Sequence, residues 1–175
     1  MSIYAPEKHW WKPLDREEML WVTIAFVWCQ FITFIMPWSH AYGKHNPPAE
    51  TIKASTAEFG VKVDKFIADH TVGEEAGMAV CEVGPEVNDV FLVGRNYQWE
   101  PILRLQKDKE YRLHLSSGDY LHGMSIQPMN MNIMCIPGYE YVLRVIPDQE
   151  GEYFVICNEF CGSGHHMMSG KIYVI

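Results

Sequence analysis

At 175 residues the chain has room for one ordinary domain and an appendage, but not for two packed globular domains. A formal charge of -8 at pH 7, with no cluster of lysine or arginine, excludes a nucleic-acid surface and suits a cationic partner instead. Five cysteines, Cys29, Cys81, Cys135, Cys157 and Cys161, are odd in number and too few to be a disulfide framework for a chain of this length.

In chain order, the first feature is MLWVTIAFVWCQFITFIMPW, Met19 to Trp38, which holds no charged residue. At ~1.5 Å per residue it reaches ~30 Å, the thickness of a hydrocarbon core, so it is expected to cross a bilayer once. Trp10, Trp11 and Trp21 toward one end, and Trp38 and Tyr42 toward the other, fit an aromatic belt. The SHA triplet at Ser39–Ala41 is a passable signal-cleavage site, but the apolar run exceeds an ordinary signal core, and the segment reads as an anchor. Lys8, Lys12 and Arg16 ahead of it, against Lys44 and Lys53 behind, favour a cytoplasmic N-terminus over residues 1–18. Thr23, Gln30, Thr33 and Pro37 form one stripe, which suits packing on another transmembrane helix; the alternative is a tolerated Gln30 with the Thr hydroxyls bonded back to their own helix. The span has no histidine, so this chain by itself cannot ligate a haem at membrane depth.

Residues 39–88 read as a linker with one short helix. The GKHNPPAET stretch is turn-rich and Pro47-Pro48 excludes helix. From Ala54 to His70, Phe59, Val63, Phe66 and Ile67 recur at helical spacing, with Gly73 as the stop. From residue 89 to 175 the pattern turns to strands: DVFLVG, EYRLHLSS, YEYVLRVI, EYFVIC and GKIYVI, separated by Gly118-Asp119, Pro137-Gly138 and Glu150-Gly151. Such spacing predicts a mainly β domain, a Greek-key sandwich or small barrel. In YEYVLRVI, Tyr141, Leu143 and Val145 share one face and Val142, Arg144 and Ile146 the other.

The chemistry concentrates in CNEFCGSGHHMM, Cys157 to Met168. Cys161, His165 and Met168 read CxxxHxxM; a thiolate, an imidazole and a thioether on one loop, joined by a distant histidine, suit a copper ion that transfers electrons. Cys157 adds a second thiolate, and two thiolates can bridge two ions. His122 in DYLHGMSI is the candidate fourth donor, whereas His114 sits within the alternating YRLHLSS and reads as a strand-surface residue. His166 and Met167 must point away from His165 and Met168. Zinc competes, since two Cys and two His make a tetrahedral set, but it has no use for Met168. A cysteine protease needs one activated thiolate, not a coordinating pair. A Cys157–Cys161 disulfide would leave the neighbouring donors idle. Met129, Met131 and Met134 read as adaptable hydrophobes, Cys81 and Cys135 as buried strand residues, and Cys29 as facing lipid or helix.

These residues resemble a family: CNEFCGSGHHMM follows the CxExCGxxHxxM loop of the CuA site in cytochrome c oxidase subunit II. With LHGMSI upstream, the resemblance spans Asp89 to Ile175. The single preceding span is similar to the one-helix subunit II of B-type haem-copper oxidases, the commoner form having two helices. The helix at 54–70 matches no part of the pattern. The resemblance implies a cupredoxin-like fold and two copper ions, bridged by Cys157 and Cys161 and capped by His122 and His165. Met168 would be a weak ligand on one copper, and the Glu159 carbonyl on the other. In some members the carboxylate equivalent to that of Glu159 also binds magnesium at the interface with subunit I, a role left open here. The resemblance further places an aromatic, Tyr97 or Trp99, at the outer face of the copper site as the point of electron input; the alternative for Trp99 is ordinary core or edge packing.

The function implied is the electron-accepting, non-catalytic subunit of a haem-copper terminal oxidase in a bacterial or archaeal cytoplasmic membrane. Its C-terminal domain would lie on the periplasmic or extracellular side. It would take electrons from cytochrome c or a small copper protein and pass them to haem in subunit I. A nitric oxide reductase of the same superfamily differs only in the catalytic subunit, and a membrane-tethered copper carrier is a rival of another class. Residues 39–175 carry 11 Lys and Arg against 18 Asp and Glu, a formal -7, so a basic donor is expected to be steered by charge.

Overall fold

The structure is a computed structural model that describes residues 13–42, 49–95 and 97–175. Trp10, Trp11, Lys8, Lys12, Lys44 and the Pro47-Pro48 turn lie outside the described residues. The chain divides into two units, Met1–His45 and Asn46–Ile175.

The first unit contains α1, Arg16–Tyr42. It starts where Asp15 and Glu18 exchange hydrogen bonds: Glu18 N donates to Asp15 Oδ1 (2.8 Å) and Asp15 N to Glu18 Oε2 (3.2 Å). Its 27 residues outrun the charge-free stretch because Arg16–Glu18 and Ser39–Tyr42 continue the helix as polar flanks. Pro37 lies inside it. None of its side chains is buried, and it is long and apolar enough to cross a membrane. Thr23 donates to the carbonyl of Met19 at 2.7 Å, which satisfies the hydroxyl within its own helix.

The second unit holds α2, Thr56–His70, and twelve strands. In chain order these are β1 (Ala49–Lys53), β2 (Thr71–Glu75), β3 (Met78–Glu82), β4 (Asp89–Arg95), β5 (Gln98–Glu100), β6 (Ile102–Leu105), β7 (Tyr111–Ser117), β8 (His122–Gln127), β9 (Met131–Cys135), β10 (Tyr139–Val145), β11 (Gly151–Cys157) and β12 (Ser169–Val174). One half of the sheet runs β1-β10-β7-β4 and the other β2-β3-β6-β12-β11-β8-β9. The short β5 joins them, antiparallel to β4 and bridged to β12 at Gln98–Ser169. Neighbours far apart in sequence, such as β7 with β10 and β8 with β11, make this a curled Greek-key half-barrel, the mainly β fold expected. Leu92, Trp99, Leu103, Leu113, Met124, Ile126, Tyr153, Val155 and Ile172 fill it.

Two regions differ from the expectation. Residues 49–88 are not a linker: β1 pairs with β10, and β3 pairs with both β2 and β6, so this stretch adds three strands to the sheet. The helix within it starts on a capping box between Ser55 and Glu58 and buries Phe59, Val63 and Phe66. Helix α2 ends at His70 because the Thr71 backbone and hydroxyl both donate to the Ile67 carbonyl, and Gly73 lies inside β2 rather than at the helix stop.

His114 is likewise buried, not on the strand surface. Its ring stacks on Phe91 (centroids 4.6 Å), which in turn meets Phe59 and Phe66 of α2. Its nitrogens bond Glu140 (2.6 Å) and Asp89 (2.9 Å), and Glu140 also accepts from Lys62 of α2 (2.6 Å). The helix converts what would be a solvated sheet face into an interior one, and these paired charges satisfy it.

Candidate metal centre

Strand β11 ends at Cys157 and β12 begins at Ser169, so the loop that carries the donors is short and closed at its base. Cys157 N donates to the Met168 carbonyl (3.3 Å), and Asn158 N to the Gly123 carbonyl on β8 (2.9 Å). Residues His165–Met167 make one 3-10 turn. In such a turn residues three apart lie one above the other, which turns His165 and Met168 to the same side. Met168 is buried and His165 partly so, while His166 and Met167 are exposed. His122 opens β8, beside the end of β11, with Met124 opposite Cys157.

These elements bring two thiols together. Cys157 Sγ and Cys161 Sγ stand 3.8 Å apart, far beyond a disulfide bond, and both are free. Around Cys157 lie His122 Nδ1 (3.8 Å) and the Glu159 carbonyl (3.2 Å). Around Cys161 lie His165 Nδ1 (3.7 Å) and Met168 Sδ (3.7 Å). The ligand atoms of His122, Cys157 and Cys161 fall within 4.8 Å of one another, the one such group among the described residues, and His165 is outside it. Six donors, counting the Glu159 carbonyl, therefore gather about the thiol pair. Burial and the neighbouring Cys157 thiol push the Cys161 thiol up to about 11. A cation bonded there would reverse that cost by stabilising the thiolate.

The donor set fits copper. A metal–thiolate bond is ~2.3 Å, so one ion can touch both sulfurs only if they stand closer than ~4.6 Å, which the 3.8 Å separation meets. Thiolate, imidazole and thioether are soft or borderline donors. His122 is fully buried, and its other nitrogen, Nε2, bonds Asp119 Oδ1 at 2.6 Å. The carboxylate holds the proton on Nε2 and leaves the Nδ1 lone pair facing the thiols. Nothing in the sequence reading singled out Asp119; a carboxylate three residues ahead of a ligand histidine was the available signal.

The two aromatics expected at the outer face separate. Tyr97 is partly exposed, but Trp99 is fully buried, so its placement at the outer face is corrected. Strand β5 alternates Gln98 outward and Trp99 inward, and Gly94 and Gly170 leave the space that the indole occupies. The surface above Cys161 is a shallow depression of about 470 Å3 lined by Tyr97, Tyr120, Leu121, Phe160 and Gly162. Phe160 is 79% exposed and meets the His165 ring edge-on. The Glu159 side chain is exposed.

Residues 95–174 match the family model for the periplasmic domain of cytochrome c oxidase subunit II. Two Thermus thermophilus proteins named cytochrome c oxidase subunit 2 are each 30% identical over 101 residues, 57% of this chain. The aligned part covers 75% of one and 60% of the other. A chain in the cryo-EM structure of a heme-copper terminal oxidase dimer superimposes with a TM-score of 0.60 at 22% identity, over 91% of this chain and 100% of that chain, a likeness of fold.

Proposed function

The chain belongs to the cytochrome c oxidase subunit II family, and on that premise we propose that it is the electron-accepting subunit of a haem-copper terminal oxidase. The observation that carries this reading is the gathering of six donors about one thiol pair, more than one tetrahedral zinc can use. Cys157 and Cys161 would hold two coppers between them, His122 and His165 would each complete one, and Met168 and the Glu159 carbonyl would be further ligands, one to each copper. Copper held there supplies a one-electron couple.

The protein's part is to hold those donors still. Asp119 fixes the tautomer of His122, the loop's own hydrogen bonds fix Cys157, His165 and Met168, and both cysteines are buried. Electrons would come from cytochrome c or a small copper protein that docks over Tyr97, Tyr120 and Phe160, and leave for haem in subunit I. Tyr97 is then the candidate for electron input. The exposed Glu159 carboxylate is the group that could hold magnesium against subunit I. α1 would anchor the subunit as a single pass in a cytoplasmic membrane, with the β-domain on the periplasmic or extracellular side.

The test is metal analysis and electron spin resonance of the full-length chain in detergent, together with identification of the large subunit that copurifies and its haem. Two coppers per chain sharing one unpaired electron, and a haem-bearing partner that reduces oxygen, are expected. A chain that saturates with one copper or takes only zinc refutes the site. A partner that reduces nitric oxide instead refutes the oxidase assignment alone.

A further inference from the structure

Tyr97, ahead of β5, and Trp99, on it, supply no donor to the thiol pair, yet Trp99 packs beside residues that do and Tyr97 against the glycines between Cys161 and His165. From inside, the edge of the Trp99 ring and the Met168 methyl both lie over Gly94: a Cβ at Gly94 would stand 2.8 Å from Trp99 Cζ3 and 3.2 Å from Met168 Cε. Across the ring's base, a Cβ at Gly170 would stand 2.6 Å from Trp99 Cβ. The same ring meets His122 edge-on, with centroids 5.8 Å apart. Its Nε1 is buried without a hydrogen-bond partner, so the indole sits where packing wants it rather than where its N–H would be satisfied. From outside, Tyr97 lies flat against the ligand loop. A Cβ at Gly164 would fall 2.3 Å from Tyr97 Cδ2, one at Gly162 would fall 2.7 Å from Tyr97 Oη, and the hydroxyl reaches Ser163 Oγ at 3.4 Å. Tyr97 does this from a left-handed backbone, φ 68°, which a non-glycine residue adopts at a cost.

Resting on the two-copper reading above, we infer that this pair of aromatics is a mould for the donors. Trp99 sets how closely the Met168 thioether and the His122 ring approach the thiol pair. Tyr97 holds Gly162–Gly164, and with it the spacing between Cys161 and His165. Both are positioning residues that act through ligands. A tryptophan that merely filled the core would be replaceable at a loss of stability alone, whereas one that seats the thioether also sets the electronic character of the loaded site.

The test uses the full-length chain in detergent, loaded with copper, and reads copper content, reduction potential and copper hyperfine splitting. Trp99→Phe withdraws the ring edge that lies beside Met168, and Gly94→Ala puts a Cβ against both that edge and the Met168 methyl, so it perturbs the seat of the thioether as a whole. Each is expected to keep both coppers and to shift the potential and the splitting. Tyr97→Ala is expected to lose copper to excess chelator about tenfold faster than the parent, with Tyr97→Phe close to the parent rate. If Trp99→Phe does not fold, Gly94→Ala decides. Variants that are less stable yet show the parent's potential and splitting overturn the inner half of the inference. A parent rate of copper loss in Tyr97→Ala overturns the outer half. A parent chain that binds no copper pair refutes the proposed function itself, which the unmodified chain reports separately.

Discussion

Replacing Asp119 with alanine tests whether the carboxylate behind His122 shapes the metal centre. In the parent, Nε2 of the fully buried His122 donates to Asp119 Oδ1 at 2.6 Å, and Nδ1 faces Cys157 Sγ at 3.8 Å. Truncation leaves a buried N–H without its acceptor, which costs about 1–3 kcal/mol. It also releases the tautomer that puts the proton on Nδ1, where copper would have to displace it. Copper affinity should therefore fall about 10–100-fold, equivalent to about 1.4–2.8 kcal/mol. Asp119 also accepts from Tyr120 N (2.6 Å), so the alanine variant loosens the turn as well. Asp119→Asn, whose side-chain oxygen can still accept both bonds, separates the two effects and should fall between parent and alanine. Competition titration against a copper chelator gives affinity, and denaturant unfolding of the copper-free chain gives stability. An alanine variant that binds copper as tightly as the parent refutes the argument.

Cys161→Ser should abolish the shared-electron signal while Met168→Leu keeps both coppers and shifts their potential; the reverse order in spin resonance and metal analysis contradicts the assigned roles. Gly123→Ala would put a Cβ 2.0 Å from Asn158 Oδ1 and 3.0 Å from Glu159 N, so thermal unfolding should show about 1–3 kcal/mol of overpacking and copper occupancy should drop. Burial raises the Glu140 carboxyl, but hydrogen bonds from Lys62 and His114 outweigh it and leave the group below its ordinary 4.5. Its stabilisation is thus complete above pH 4.5 and lost as pH falls through the lowered value, and Glu140→Gln should flatten that acid limb in unfolding scans. Reduction by a basic cytochrome c should slow as salt rises, since residues 39–175 carry a formal -7; a stopped-flow rate indifferent to ionic strength removes the steering argument.

What the sequence could disclose followed from how local each feature is. Cys161, His165 and Met168 lie on one loop, so spacing alone brings them to one side, and the long strands β4, β7, β10, β11 and β12 carry alternation that shows in one dimension. Strands β1 and β2, by contrast, are mostly exposed and rich in Glu, Thr and Gly, with no periodic burial to betray them. Their existence depends on β10 and β3, the first of these some ninety residues away along the chain. His114 reads as a surface residue until α2 is laid over the sheet. Trp99 sits on a strand of three residues, too short for a period to assign its face. Asp119 and the glycines at 94, 123, 162 and 164 act through contacts between segments that only the folded chain creates.

These glycines also explain how a loop of eleven residues between Cys157 and Ser169 can be rigid without a helix or sheet of its own. At Gly123 the chain admits Asn158 and Glu159, at Gly162 and Gly164 it admits the Tyr97 ring, and at Gly94 and Gly170 it admits Trp99. Each small residue lets a larger one approach from another element, so the loop is fixed by neighbours on β4, β5, β8 and β12 rather than by internal hydrogen bonds alone. Its bonds from His165 N to the Gly162 carbonyl and from Met168 N to the His165 carbonyl then have little freedom left to remove. A donor set held in this way is seated before any metal arrives. If the centre carries electrons as proposed, low reorganisation would follow from packing around the loop as much as from the ligands on it.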